Sequence, residues 1–569
     1  MLFIAISSIV LLYCDWQRNK LEREFVKIDG DGKDYYSYLT SAFITNDLAH
    51  LKSENNFVVE TPTGNIKMHT VGVAIMQLPF FILGYIVAKV GNYSLDGFSA
   101  PFQLAISLAG LCYALIGLYF IMKTLYNLKY SKTVVLVSVL ILFFGTSLLT
   151  YTITEPSMSH VYSFALISAF IYFNQKLADK YSAKTIYTIA VLLGLIILVR
   201  PVNLLVIFLI PYFYGSLKEI RNRMSDIFQN RKALIISIGL AISVCFIQSF
   251  IWFLQTGSFY QNSYVGNGFY FFKPHIFDML FGFNSGIIVY SPILLLVFVG
   301  LYLNFKSNKF KGLSILFFLI FIVYVFSCYW GWTYFDGLGT RAIVDFYGVF
   351  AVLIALVINS VKNNFQKVVL TSIVSFFVIF NLIISFQFKE GIIQVCGMNY
   401  EKYKYVLFKI APQYKGVLGG CYDLMPYSSE KKTPFLVSEN NYDYVKNKFY
   451  LYNGNEFGVE YKATNINVEA KKIHLKVAVD RFDIRANSSK NALISVSLND
   501  KNNRSKVWQT FKLNDTPSTD SLSNWKHYNY SINIASNIKP TDIVCVSVWN
   551  PQHQTFGIDN FKVELYNYN

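Results

Sequence analysis

Long stretches without a single charged residue constrain this chain more than any other feature. Residues 102–122, 133–153, 233–254 and 368–388 each run for about 20 residues with no charge, which is the length that an α-helix needs to cross a bilayer. Charged residues make up 15% of the 569 residues and hydrophobic ones 54%, whereas soluble proteins carry about 25% charged residues. The sequence therefore predicts a protein that crosses a membrane many times.

We expect about eleven membrane-spanning helices in the first 390 residues. The first apolar run has no basic leader and no small-residue cleavage site, which favours an uncleaved helix over a signal peptide. The predicted spans are 1–14, 102–122, 133–153, 157–175, 185–199, 201–217, 233–254, 276–303, 312–328, 343–358 and 368–388.

The distribution of basic residues between the loops predicts the orientation. Sixteen Lys and Arg residues lie in one set of loops: 123–132, 176–184, 218–232, 304–311 and 359–367. The other set holds three, in 91–101, 154–156, 255–275, 329–342 and the hairpin at Arg200. Because basic loops stay in the cytoplasm, the first set is predicted to be cytoplasmic. The net charge of +16 is then a signal of topology, and nothing indicates nucleic-acid binding.

The apolar run 71–90 leaves two alternatives open. A twelfth span there would place residue 1 outside or invert every later loop. We therefore expect an interfacial helix within the first external loop, residues 15–101. The alternative is that 71–90 spans the membrane and residues 1–14 do not.

After residue 390 the chain becomes polar and rich in Asn and Lys. Residues 391–430 are predicted to form a connecting segment, in which Cys396 and Cys421 form a disulfide or remain free. Residues 431–569 are predicted to form an exported all-β, jelly-roll-like sandwich that resembles carbohydrate-binding modules. Its alternating apolar and polar residues predict strands at 473–479, 492–498, 527–534, 542–549 and 559–566.

The first external loop contains the first candidate site residues. Asp29, Asp31 and Asp34 lie within six positions, between glycines and before two tyrosines. Such carboxylates can supply a general base, or they can form an ordinary solvated turn. Lys67 and His69 precede the apolar run 71–90 and are further candidates.

Four more candidates lie at ends of predicted spans. Glu155 and His160 are at the mouth of two spans, and Arg200 joins two apolar segments. Arg341 precedes another span and follows an aromatic stretch that suits a membrane interface or a sugar-stacking surface. Charges at bilayer boundaries are costly and usually belong to functional sites. Arginine in particular binds phosphate through a planar pair of donors.

Together these motifs resemble the C-type membrane glycosyltransferases, in particular the protein O-mannosyltransferase and aminoarabinose transferase branch. The resemblance covers residues 1–390 and excludes the sandwich. It rests on the order and spacing of five strings: Asp31-Gly32-Lys33-Asp34-Tyr35-Tyr36, His69-x-x-Gly72 to Pro79-Phe80-Phe81, Glu155-Pro156-x-Met158-Ser159-His160, Arg200-Pro201 and Gly339-x-Arg341.

The resemblance implies an inverting transfer of a sugar from a polyprenyl-phosphate carrier to an acceptor hydroxyl at the outer membrane face. Asp31 matches the family's presumed base, although Asp29 and Asp34 compete for that role, and Glu155 matches an acid that positions donor or acceptor. Arg200 matches a basic residue against the carrier phosphate. Candidates for the same phosphate are Lys67, His69, His160 and Arg341.

The expected partners are a polyprenyl-phosphate sugar, a protein, glycan or lipid acceptor of the cell envelope, and membrane lipids. We expect no cofactor, while a divalent cation stays open, and we expect a multi-pass protein of the bacterial cytoplasmic membrane with its C-terminal domain outside. Two other classes remain: a transporter or flippase of lipid-linked sugars, and a membrane-anchored carbohydrate-binding protein. A transporter would more often show mid-span charges or an internal repeat, which the sequence lacks.

Overall fold

A computed structural model gives the architecture of the chain. It describes residues 1–22, 26–49, 58–334, 337–394, 397–411, 414, 418, 434, 436–439, 449–464, 466, 472–483, 492–513, 525–535, 538–551 and 553–568. The chain divides into two compact units, Met1–Ser385 and Phe386–Asn569. The first is mainly helical and the second contains the two larger β-sheets. Cys396, Cys421 and nearly half of the predicted connecting segment lie outside the described residues.

The helical unit is built from helices of very different lengths. In chain order they are α1 (Leu2–Glu22), α2 (Asp31–Phe43), α3 (Gly72–Val90), α4 (Ala100–Asn127), α5 (Lys132–Phe144), α6 (Leu148–Ile153), α7 (Ser159–Asp179), α8 (Ala183–Val199), α9 (Leu217–Gln229), α10 (Arg231–Thr256), α11 (Ile276–Phe281), α12 (Ile287–Tyr290), α13 (Leu295–Ser307), α14 (Lys309–Ser327), α15 (Tyr347–Ser360) and α16 (Asn364–Lys389); α17 (Tyr400–Val406) follows in the second unit.

Within the described residues, six helical segments are long and apolar enough to cross a membrane. They are α3, α4, α10, α14, the segment Arg341–Ser360 and α16, and a sharply bent pair, Pro201–Phe213 with α9, raises the number to seven if it counts as one span. The chain is thus a multi-pass membrane protein. The count of eleven spans stays a prediction.

Two of the predicted spans are interrupted in the structure. The run 133–153 is divided into α5 and α6 around Gly145, and the run 276–303 is divided into α11, α12 and α13. The run 276–303 first breaks after α11, at Gly282. Ser285, in this break, has a φ of 84°, a conformation that an α-helix cannot include. The prediction of one continuous helix was wrong for both runs, because apolar composition does not reveal where the backbone turns.

Residues Pro201–Phe213 form a 3₁₀ helix of 13 residues. Such helices rarely exceed four residues, and they rise about 2.0 Å per residue. Thirteen residues therefore extend about 26 Å, against about 20 Å for an α-helix of the same length. This geometry brings a short apolar segment close to the roughly 30 Å thickness of a bilayer core. Pro201, at its first turn, lacks the N–H that would be unpaired there.

The run 71–90 is one 19-residue helix, α3, with Pro79 inside it. Its length and apolar composition suit a membrane span. The helix α1 is apolar only over Leu2–Cys14. Both alternatives for the first external loop therefore stay open.

The first loop also contains a hairpin that the sequence did not predict. Strands β1 (Val58–Thr61) and β2 (Gly64–Lys67) pair antiparallel across a two-residue turn. Because β2 ends at Lys67 and α3 begins at Gly72, the hairpin places Lys67 and His69 between the sheet and the helix.

The second unit contains two antiparallel sheets. Its strands are β3 (Leu436–Glu439), β4 (Tyr450–Asn453), β5 (Phe457–Ala463), β6 (Lys472–Asp483), β7 (Leu493–Asn499), β8 (Ser505–Lys512), β9 (Lys526–Ala535), β10 (Ile543–Trp549) and β11 (Thr555–Tyr568). One sheet has the order β5-β10-β7-β8; the other has the order β3-β11-β6-β9, with β4 also paired to β11.

The inward side chains of both sheets share one apolar core. Along β7 and β10 buried and half-buried residues alternate strictly, as expected for strands with one solvated face. The five predicted strands are confirmed as β6, β7, β9, β10 and β11. The jelly-roll topology stays a prediction.

The orientation can be tested with single cysteines in a background that lacks the seven native ones. We expect Asn222→Cys and Ser307→Cys, both exposed and in loops predicted to be cytoplasmic, to resist an impermeant maleimide in intact cells. Ser258→Cys and Lys501→Cys should react. Permeabilised cells, in which all four should react, are the control, and labelling of Asn222→Cys in intact cells would contradict the topology.

Candidate active site at the ends of the membrane helices

The first turn of α2 lies directly against the segment that joins α6 to α7. A β-carbon on Gly32 would lie 2.0 Å from the Ser157 hydroxyl oxygen, so only glycine allows this approach. Gly30, just before the helix, has a φ of 53°, which is another conformation that favours glycine. The two glycines therefore bring Asp31 beside the start of α7.

Asp31 forms an ion pair with Arg341. The Arg341 Nη2 atom donates to Asp31 Oδ2 over 2.7 Å. The Asp31 side chain is 22% exposed and the Arg341 side chain 10%. Arg341 Nη1 also lies 3.6 Å from the Met158 sulfur. Glu155 is half-buried nearby and interacts electrostatically with Arg341. The structure thus brings together three of the predicted site residues from distant parts of the chain.

A second ion pair is centred on Asp345, which is fully buried. Its carboxylate lies 3.2 Å from Arg200 Nη1 and 2.9 Å from His160 Nδ1, and it accepts a 2.7 Å hydrogen bond from Asn203 Nδ2. Asn203 Nδ2 also donates to Ser163 Oγ over 3.1 Å. Buried carboxylates require such partners. The network fixes the guanidinium of Arg200, whose side chain is 14% exposed.

His160 takes part in this network through one nitrogen. Its Nδ1 atom lies 2.9 Å from Asp345 and 3.0 Å from Arg200 Nη1. Nδ1 can donate to the carboxylate or accept from the guanidinium, but a single nitrogen does not do both. The tautomer of His160 is therefore coupled to the position of Arg200.

A third network occupies the other predicted loop residues. The Asp34 side chain is fully buried, 3.4 Å from Lys67 Nζ and 2.8 Å from His69 Nδ1. The backbone N–H of His69 donates to the same carboxylate over 3.3 Å. Lys67 is only 2% exposed. In this structure Asp34 and Lys67 hold the segment between α2 and α3 together and are not open to a ligand.

The three candidate bases therefore differ in surroundings. Asp29 is 73% exposed and pairs with Lys33 on the surface, whereas Asp34 is inaccessible. Asp31 lies between these extremes. Burial by itself raises the pKa of the Asp31 carboxyl, but the Arg341 guanidinium and the nearby His69 and His160 outweigh that effect and hold this pKa below its usual range.

Tyrosines surround the ion pairs. The Tyr35 ring packs on His69 at 4.6 Å between centroids, and burial together with the charge of Asp31 raises the pKa of Tyr35 to about 12. Tyr334 is buried, stacks on Tyr329 and has a φ of 53°. A bulky residue in this conformation is strained, and such strain persists where the surroundings enforce it. The neighbouring Asp336 lies outside the described residues.

An apolar cavity of about 210 Å³ lies beside this region. Only aliphatic and phenylalanine side chains line it, and they come from α11 to α15 and the short 3₁₀ helix Arg341–Phe346. Ile343 is one of them, and it is two residues from both Arg341 and Asp345. A single short helix therefore contributes to the two ion pairs and to the cavity wall.

Asp345 is the residue that the sequence analysis missed. It lies inside the run 343–358, which was predicted to be an ordinary span. A lone carboxylate inside an apolar run is itself a signal, because such groups are costly in a bilayer unless they are paired. Within the described residues, no three of His, Cys, Asp and Glu are arranged to hold a metal ion, and the absence of a cofactor stays a prediction.

Comparison with known proteins identifies no family. No protein-family model matches the chain, and no curated protein matches it. Among solved structures, the chain is similar to the cryo-EM structure of the arabinosyltransferase EmbB from Mycobacterium smegmatis, with 13% identity and a TM-score of 0.27 over 87% of this chain. The chain covers 64% of that protein, less than two thirds of its length. A likeness at this TM-score is too low to carry an inference about activity.

Proposed function

We propose that the protein is an inverting glycosyltransferase that moves a sugar from a polyprenyl-phosphate carrier to an acceptor hydroxyl at the outer face of the membrane. The observation that carries the proposal is the partly exposed Asp31–Arg341 pair beside the Asp345–Arg200 pair. Two arginines at the ends of apolar segments suit a phosphate held at a membrane boundary. The nearby apolar cavity suits part of the lipid chain.

In the proposed reaction Asp31 accepts the proton of the acceptor hydroxyl as that oxygen attacks the anomeric carbon. The bond between this carbon and the phosphate oxygen breaks, and its electron pair stays on the carrier phosphate. Arg200 and Arg341 stabilise the charge that develops there. Attack opposite to the leaving phosphate inverts the anomeric centre.

The resting ion pair gives this reaction an order. While Arg341 is bound to Asp31 Oδ2, the guanidinium lowers the basicity of the carboxylate. A donor phosphate that binds Arg341 competes with Asp31 for it and makes Asp31 a stronger base. The acceptor is therefore activated more strongly when the donor is present. Asp34, Lys67 and His69 hold the loop that carries Asp31, and the charge of Glu155 stabilises the Arg341 guanidinium.

The proposal is tested with purified protein in nanodiscs and a panel of polyprenyl-phosphate sugars, with release of carrier phosphate and transfer to acceptor measured separately. We expect one donor to be consumed and Arg200→Ala to slow its consumption by about ten- to a hundredfold, since a charge-assisted contact contributes about 1.5–3 kcal/mol. Arg223→Ala, which removes an arginine of α9 that is paired with Asp226, is the matched control. Movement of the donor across the membrane without cleavage would favour a flippase.

The pH dependence gives a second test. Because Arg341 depresses the pKa of Asp31, Asp31 is ionised in the free enzyme above about pH 4, and kcat/KM should not fall on its account between about pH 5 and 8. Binding of the donor removes the counter-charge from Asp31 and raises its pKa. We therefore expect the acidic limb of kcat at higher pH than that of kcat/KM. Coincident limbs would contradict the competition for Arg341.

A further inference from the structure

The outer face of the sheet β5-β10-β7-β8 carries three aromatic side chains that the membrane site does not use. Phe457 on β5 and Trp508 on β8 are 61% and 47% exposed, and Trp549 on β10 is half-buried. We call these three residues the aromatic platform. The inward residues of the same strands already fill the core of the sandwich. These rings are therefore not needed for that core.

The three rings form a continuous surface. Phe457 and Trp549 are direct cross-strand partners, with ring centroids 6.5 Å apart and 4° between their planes. Trp508 reaches across β7, and its centroid lies 6.0 Å from that of Trp549, with 63° between the two ring planes. The platform thus extends across all four strands of the sheet.

Hydrogen bonds hold the two indoles in place. Trp508 Nε1 donates to Ser495 Oγ over 2.9 Å, and Trp549 Nε1 donates to Glu456 Oε1 over 3.0 Å. Both indole N–H groups are thus bonded within the protein, and the ring planes are fixed. Rigid aromatic rings lose little conformational entropy when they bind a ligand. The platform is therefore organised before any ligand arrives.

The polar groups around the rings are mostly hydroxyls. Ser495 and Ser547 are cross-strand partners between the indoles, and Ser497 follows on β7. Hydroxyls both donate and accept hydrogen bonds. On β5 the charge of Glu460 is paired with Lys462 at 2.9 Å. The surface thus combines apolar ring faces with hydroxyls and with the Glu456 carboxylate that holds Trp549.

We propose that the aromatic platform binds a linear glycan of neutral pyranose units. One face of a pyranose ring presents C–H groups with partial positive charge, which pack on the negative face of an aromatic ring. Its edges present hydroxyls that pair with serines. The serine hydroxyls between the two indoles suit a glycan better than a lipid surface, and an anionic ligand would be better matched by basic residues without acidic partners. This inference goes beyond the proposed transfer reaction and does not depend on it.

The test measures binding of the full-length protein in nanodiscs to linear hexasaccharides of glucose, mannose, galactose and N-acetylglucosamine, with no lipid-linked donor present. We expect at least one to bind and Trp508→Ala to weaken its Kd at least tenfold, while Trp508→Phe retains part of the affinity. Trp525→Ala is the matched control, because Trp525 is 40% exposed and precedes β9 of the other sheet, and its Kd should not change.

Three results would overturn the proposal. One is the absence of binding to every hexasaccharide, and another is an equal loss of affinity in the Trp508→Ala and Trp525→Ala variants. The third is a change from oligomer to monomer in Trp508→Ala without glycan, which would make the platform an interface between protein copies. Because no donor is present, a failure of the transferase proposal leaves these outcomes unaffected.

Discussion

Replacing Asp31 with asparagine should remove most of the transfer activity and leave the fold intact. Asparagine keeps the shape of the side chain but cannot accept the proton of an acceptor hydroxyl. Loss of a general base lowers rates by about 10²–10⁴. Asp31 is partly exposed and Arg341 still has Glu155 nearby, so the protein should fold and bind the donor. The measurements are initial rates of transfer and binding of the donor to each variant.

Asp29→Asn is the matched control, since it is two residues away and exposed, and transfer should be almost unchanged. Asp34→Asn removes the partner of the buried Lys67 and should reduce stability as well as activity. If Asp34→Asn abolished transfer in a protein of normal stability while Asp31→Asn remained active, the base would be Asp34. If none of the three changes mattered, the glycosyltransferase proposal would fail.

Asp345→Asn is expected to have the largest effect on stability. The change leaves the Arg200 guanidinium and the buried end of Asn203 without the carboxylate that they contact. Removing one partner of a buried ion pair costs about 3–5 kcal/mol. Because Arg200 would also lose its fixed position, donor cleavage should fall with it. Unfolding by a denaturing detergent and donor cleavage measure the two effects.

Asp226→Asn provides the control for this change. Asp226 pairs with Arg223 and is itself 47% exposed, and an exposed carboxylate in an ion pair contributes about 0–1 kcal/mol. The double variant Arg200→Gln, Asp345→Asn should regain stability, because it no longer contains an uncompensated charge, but it should not regain donor cleavage. Full activity in the double variant would exclude Arg200 from the site.

The sequence predicted the repeated membrane crossings of the helical unit better than it predicted where the individual helices begin and end. Charge-free runs are a direct consequence of bilayer thickness, so α4, α10 and α16 were predicted well. The breaks within 133–153 and 276–303 and the 3₁₀ helix Pro201–Phe213 depend on tertiary packing, which composition does not encode. In the sandwich, strict alternation predicted β7 and β10, whereas β5 and β8 lie among polar residues and were missed.

For the candidate site, the sequence predicted residue types but not their pairing. Asp31 and Arg341 are 310 positions apart, and no local pattern connects them. The sequence left Asp29 and Asp34 in competition with Asp31, because burial distinguishes the three carboxylates only in the folded protein. Asp345 was overlooked because it lies within an apolar run. Its charge alone indicates that this part of the run contacts other polar groups, since an unpaired carboxylate is costly in a bilayer.

The ion pairs that link the first loop and α7 to the start of Arg341–Ser360 also constrain the order of biosynthesis. Asp31 and His160 are made early, but Arg341 and Asp345 leave the ribosome only after most of the helical unit. Until then the partners of these charges are missing at the membrane surface. A nascent chain therefore has no complete site, and fragments that end before Asp345 should be substrates for quality-control proteases.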